Sequence, residues 1–225
     1  MRPWVLLRQA GIEFSEVNLR FDSFDPHSAF KQQITRLNPA GKVPALEDDG
    51  FVVWDSLAIA EYLAEKFPEK QLWPKDMKAR ARARSVCAEM HSGFGALRAA
   101  CPMNIEADLT LAGQLIWRDK AAVREDVGRI TSMWLELLAR HGGEFLFGDF
   151  CIADAFFAPV CMRLKTYALP VPAGASAYMQ RLSASVGVKA WTADALAEND
   201  FRDFEEPYRI NPDQAAISTT ESSAA

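Results

Sequence analysis

No run of about 18 apolar residues occurs anywhere in the 225-residue chain, which argues against a membrane-spanning helix. The opening M-R-P-W-V-L-L-R-Q-A is too short and too interrupted for a secretory signal peptide. Cations are not in excess: 25 Lys and Arg face 30 Asp and Glu, for a net charge of −5. A nucleic-acid surface needs clustered Lys and Arg. The one basic cluster, R-A-R-A-R at 80–84, continues a helical pattern and reads as a solvated helix face. Cysteine is scarce, and Cys87, Cys101, Cys151 and Cys161 show neither C-x-x-C nor metal-ligand spacing. With no secretory segment they read as reduced thiols of a cytoplasmic protein. Nucleic acid, membrane and metal are therefore not expected as partners. No internal repeat is evident. What remains is an ordinary globular composition, 49% apolar and 24% charged, long enough for one large domain or two small ones.

The pattern changes in kind near residue 70. Residues 3–10 read as a short helix with Pro3 in its first turn and Gly11 as its cap. I-E-F-S-E-V-N-L, residues 12–19, alternates and predicts a strand. A short helix is expected within 26–37. V-P-A-L-E-D-D-G-F-V-V-W reads as a hairpin turning at Asp49-Gly50. Leu57, Ala60, Leu63, Ala64 and Phe67 then recur at helical spacing until Pro68 stops the helix. Residues 1–70 thus form a mixed α/β unit, and 71–76 read as a linker. Residues 77–206 show almost no strand signal, with helices expected over 77–99, 105–118, 121–140, 153–166, 174–185 and 189–197. The tail, 207–225, is small and polar toward its end and is expected to be disordered.

Two bends carry chemistry. In N-P-A-G-K-V-P-A-L, residues 38–46, Pro44 removes a backbone donor and makes a cis bond affordable. A cis proline at a strand start would free the N–H and C=O of Val43 for an extended, peptide-like ligand. The plain alternative is a trans proline on an edge strand, since most X-Pro bonds are trans. At Asp55-Ser56 a helix begins, with unpaired N–H groups and a partial positive charge. A hydroxyl there can meet a carboxylate, and an acid beside it an ammonium group. The plain alternative is a helix cap. Taken together, a backbone pairing site and an amino-acid clamp one hairpin apart describe a pocket for a short peptide with a free amino acid at one end. Glutathione is such a peptide.

N-P-A-G-K-V-P-A-L, then D-S-L-A-I-A-E-Y-L-A-E-K-F-P and L-W-P, resembles the glutathione transferase superfamily, in a bacterial, serine-type-like form. The resemblance is specific over 38–74. It implies an α/β thioredoxin-like N-terminal domain plus an all-α helical C-terminal domain. It also implies a cis bond at Val43-Pro44, a homodimer, and glutathione as co-substrate without metal. By the same resemblance, Val43 and Pro44 would take the cysteinyl backbone, Asp55 and Ser56 the γ-glutamyl end, and Lys42 the glycine carboxylate. An electrophilic small molecule would lie against the first helices of the second domain. There His91, Phe94 and Arg98 stand three and four apart, as on one helical face, with Phe94 in the core and the other two solvated as the alternative.

F-G-D-F-C-I-A-D-A, residues 147–155, is similar to the superfamily's buried helix start. Cys151 stands where a hydroxyl is usual, and a thiol accepts weakly. Asp154 is therefore expected to carry the cap, in a structural role. Members of the superfamily begin with a strand and then a Tyr, Ser or Cys that contacts the glutathione sulfur. Neither precedes M-R-P-W here, so no catalytic residue is assigned. The expectation is that the first strand is missing, Met1 is an internal methionine and the true start lies upstream. The reading is a glutathione transferase that conjugates, isomerises or reduces an electrophile, its activity as written in question. A non-catalytic interaction or stress-response module on the same fold is the alternative.

Overall fold

The computed structural model describes residues 1–209. Helix α1, Arg2–Ala10, buries Pro3 to Leu7 and ends at Gly11, whose left-handed backbone (φ 62°, ψ 38°) returns its N–H to Leu7 and Arg8. Ser28 caps α2, Ala29–Leu37, through the Lys31 amide. Strands β1, Ala45–Asp48, and β2, Phe51–Trp54, pair antiparallel with Ala45 opposite Trp54 and Asp48 opposite Phe51. Asp49 and Gly50 between them both have positive φ, as the expected two-residue turn requires. Helix α3, Ser56–Lys66, follows, and a short 3-10 turn, Pro68–Lys70, ends it.

The remaining described chain is helical: α4 Met77–Ser92, α5 Gly95–Ala100, α6 Thr110–Asp119, α7 Ala121–His141, α8 Ile152–Thr166, α9 Ala173–Ala184 and α10 Val186–Ala197. Its core is built on Trp134 of α7, edge-on to Phe157 of α8 and Tyr178 of α9 at 5.5 and 5.0 Å. None of the described helices is long and apolar enough to cross a membrane.

Four expectations need correction. Residues 12–19 have no regular secondary structure and pair with no strand among the described residues. A strand exists through its ladder, and this segment is held by side chains instead. Trp4 Nε1 donates to Glu16 at 2.9 Å, and the Trp4 ring meets Phe14 edge-on. The helix expected over 77–99 breaks, because Gly93 is extended and Phe94 takes φ 56°. The helix expected from 105 starts at Thr110, because Asn104 and Asp108 accept from the amides of Glu106, Ala107 and Thr110 and hold turns instead. Of the tail expected to be disordered, 207–209 are packed: Tyr208 donates to the Ala100 carbonyl and Arg209 pairs with Glu106. Residues 210–225 lie outside the described residues. The linker is also anchored, with Leu72 and Trp73 buried and the Leu72 carbonyl taking the Ile152 amide at 3.0 Å.

Helix α1 joins the two halves. It packs on α3 of its own unit and on α8 and α10 of the other. At Gly187 the approach is so close that an added Cβ would stand 2.3 Å from the Val5 carbonyl oxygen. The Gly187 amide also donates to Gln9 at 3.0 Å. Only glycine permits that seat.

Asp154 carries the α8 cap, as expected. One carboxylate oxygen takes the Cys151 amide at 2.9 Å, and the other takes the Leu146 amide and the Tyr178 hydroxyl. Burial raises its pKa from 3.8 to about 6, against the pull of those donors. The folded state then holds this proton to a higher pH than the unfolded chain. The stability it contributes is full below 3.8 and is lost as pH rises through 6. Asp154→Asn, which turns a donor toward those donors, should destabilise the fold by about 2–4 kcal/mol. Relative to that variant, the wild type should lose up to about 3 kcal/mol between pH 4 and pH 7. Urea unfolding of both proteins across that range checks this, and a pH-independent difference would show that Asp154 does not titrate there.

Candidate functional site

The loop before β1 is built from its own side chains. Asn38 is buried, takes the Ala40 amide at 2.9 Å and donates to the Lys42 carbonyl at 2.6 Å. Lys31 of α2 donates to the Gly41 carbonyl at 2.6 Å. The Val43–Pro44 bond is cis, as the resemblance implies and against the local preference for trans. Val43 is 59% exposed, and its backbone makes no hydrogen bond among the described residues. Lys42 is exposed and enters no ion pair among the described residues.

At the start of α3, Asp55 holds φ 72° and ψ 134°, a conformation that costs a non-glycine residue about 1–3 kcal/mol. Its Oδ1 accepts from Leu57 at 2.7 Å and Ala58 at 3.4 Å, so the plain cap is present. Its Oδ2 faces Nε2 of His91, 2.9 Å away on α4. Nδ1 of His91 lies 2.8 Å from Nη1 of Arg2. Arginine only donates, so Nδ1 is the acceptor and the neutral ring carries its proton on Nε2, toward Asp55. Arg2, His91 and Asp55 thus form one chain of contacts across the two halves. Ser56 is 2% exposed, and its hydroxyl has no partner among the described residues. Buried polar groups without partners are rare in native proteins.

A cavity of about 310 Å³ opens between the halves, bounded by Val43 and Pro44 at the loop and by Phe94 and Arg98 at α5. Two of the three residues expected there therefore line it. His91 does not, because α4 ends between it and Phe94 and the shared helical face is lost. Arg98 also caps α4, one terminal nitrogen donating to the carbonyls of Met90, His91 and Gly93. Arg2 and Arg163 line the cavity as well, and sequence reasoning missed both. A signal existed for Arg163, the one charged side chain between Asp154 and Lys165 in an otherwise apolar helix. Burial draws both guanidiniums below their ordinary pKa, and Arg98 adds to this by repulsion.

Residues 1–66 match the family model "Glutathione S-transferase, N-terminal domain". Glutathione S-transferase Z1 of Arabidopsis thaliana is 33% identical over 167 residues, which cover 71% of this chain and 68% of that protein. Glutathione S-transferase 1 of Dianthus caryophyllus is 35% identical over 129 residues, 56% of each chain. The crystal structure of a glutathione transferase homolog from Burkholderia GL BGR1, with bound glutathione, is 26% identical. It superimposes with a TM-score of 0.59 over 88% of this chain and 91% of that one. The chain spans 56–64% of the length of three curated relatives, the Dianthus protein among them. The chain belongs to the glutathione transferase family. Its fold is the expected one, a short thioredoxin-like α/β unit followed by a helical unit.

The two duties of Asp55 can be separated. Asp55→Ser keeps a capping oxygen and removes the His91 contact, and should lower stability by no more than about 1 kcal/mol, since the pair is partly exposed. Asp55→Ala removes both and should lose about 1 kcal/mol more. Urea unfolding of the two variants tests this, and equal stabilities would mean the Oδ1 cap contributes nothing.

Proposed function

We propose that this chain binds glutathione and directs its thiol at an electrophilic small molecule held in the cavity between the halves. One observation carries this reading: a single cavity runs from cis Val43–Pro44 to Phe94 and Arg98. A peptide lying along the free backbone of Val43 would gain main-chain hydrogen bonds in the manner of an added strand. Its γ-glutamyl carboxylate would meet the unpartnered Ser56 hydroxyl and the Ser56 amide at the start of α3. Its ammonium would meet Asp55, and Lys42 is placed for the glycine carboxylate. A module that only docks other proteins has no use for an unpartnered buried hydroxyl beside an acid.

A cysteinyl sulfur held at Val43 would face the start of α1 and Arg2, and nearby positive charge favours the thiolate. The thiolate attacks an electrophilic carbon and forms a C–S bond. The displaced electron pair leaves with a departing group in conjugation. In isomerisation the bond to sulfur breaks again after rotation. The relatives named as glutathione S-transferase Z1 and maleylacetoacetate isomerase support these two outcomes. We place the glutathione unit in residues 1–70 and the electrophile-binding unit in 77–206, joined by 71–76. A serine-type mechanism, a homodimer and a cytoplasmic location complete the reading, the last in keeping with four free, buried cysteines.

Calorimetric titration of reduced glutathione into the folded chain should give saturable binding. Ser56→Ala should weaken it about tenfold, the loss of one hydrogen bond to a charged group. A folded protein that takes up no glutathione would falsify the proposal.

A further inference from the structure

We infer that the cavity beside Val43–Pro44 takes a ligand with a carboxylate on a small apolar body. This rests on the proposed use of that cavity for the second substrate and names its chemical class. Three guanidiniums, Arg2, Arg98 and Arg163, line the cavity, and no Asp or Glu does. None of the three forms an ion pair with a carboxylate among the described residues. Positive charge has therefore collected at a cavity that meets Val43–Pro44 and has no acid in its lining, in a chain whose net charge is −5; Arg98 and Arg163 also border a second cavity, of about 1040 Å³, whose lining does hold Asp and Glu.

The donors there are held and still available. Arg2 uses only Nη1, on His91. Arg98 uses only Nη2, on the end of α4. Arg163 uses only Nη1, on the carbonyls of Cys101 and Arg98. Arg2 and Arg163 each keep Nε and Nη2 without a hydrogen bond among the described residues, the same pair with which Arg84 and Arg129 grip their carboxylates, and Arg98 keeps Nε and Nη1 as single donors. Burying a cation without a counter-charge is unfavourable, and a carboxylate would relieve the half-buried Arg2 and Arg163. The backbone bonds that fix Arg98 and Arg163 mean little ordering is left to do on binding. The rest of the lining is apolar, with Phe94, Leu97, Met103 and Pro159 among it. At about 310 Å³ the space suits one ring or a short chain.

Glutathione also carries carboxylates, so the test must separate the two sources. The probes are 3-phenylpropanoate and its neutral amide, neither of them an electrophile, titrated into the chain alone and again after saturation with S-methylglutathione. The acid should bind at least tenfold more tightly than the amide. Arg163→Gln and Arg98→Gln should each cut that preference below threefold while leaving amide binding in place, which shows the pocket still folded. S-methylglutathione should change the acid's Kd by less than threefold. Equal binding of acid and amide overturns the anion subsite. Competition with S-methylglutathione overturns its assignment to a second substrate. Because the acid–amide comparison needs no glutathione, a failure of glutathione binding leaves it decisive.

Discussion

The seat of α1 is the constraint on which the rest of the molecule depends. Trp4, Val5, Leu6 and Leu7 are all buried, and their transfer from water is worth roughly 6–12 kcal/mol as an upper bound. That is comparable with the whole margin of a typical domain. The seat is made by both halves at once, with α3 on one side and α8 and α10 on the other. The α/β unit and the helical unit are therefore not free to move as separate bodies without exposing this helix. Gly187 sets how closely α10 can come to α1.

From that seat follows the geometry of the cavity. Arg2 stands at the first turn of α1, where it can reach His91 on α4 and, through it, Asp55 at the head of α3. Asp55 in turn holds a backbone conformation that few non-glycine residues adopt. It keeps it because its two oxygens are engaged from different directions, by its own helix and by the other unit. Strain of this kind persists where surrounding contacts over-determine it, and such places tend to be ligand clamps. The unpartnered Ser56 hydroxyl is the next residue. Two local departures from rest, side by side, sit where a ligand would relieve one and use the other.

The charge distribution has the same logic at larger scale. Several arginines at the surface, Arg20, Arg84 and Arg129 among them, pair with neighbouring carboxylates, where each pair is worth little. The arginines of the cavity make no direct ion pair among the described residues, and Arg2 meets Asp55 only through His91. Two of them instead cap helix ends and loop carbonyls through single nitrogens, a structural duty that leaves the remaining donors set in place.

Much of this was legible in the sequence because it is local. The hairpin turn at Asp49-Gly50, the Gly11 cap, the Pro68 stop and the Asp154 cap depend on residues within a few positions of one another. So does the division at residue 70, which is a change of hydrophobic period. The Asn38–Leu46 and Asp55–Leu63 motifs marked the two bends for the same reason. What failed was whatever needed a distant partner. Residues 12–19 have the alternation of a strand, but alternation cannot supply a neighbour. His91, Phe94 and Arg98 have helical spacing, but the spacing cannot tell that the helix ends between them. Arg2 and Arg163, 161 positions apart by number, share a cavity only because α1 packs on α8. The sequence by itself determined the hairpin, most of the helices, the turns and the family. Only the tertiary structure decided which charges meet, because a charge far along the chain has no local signature until packing brings it near.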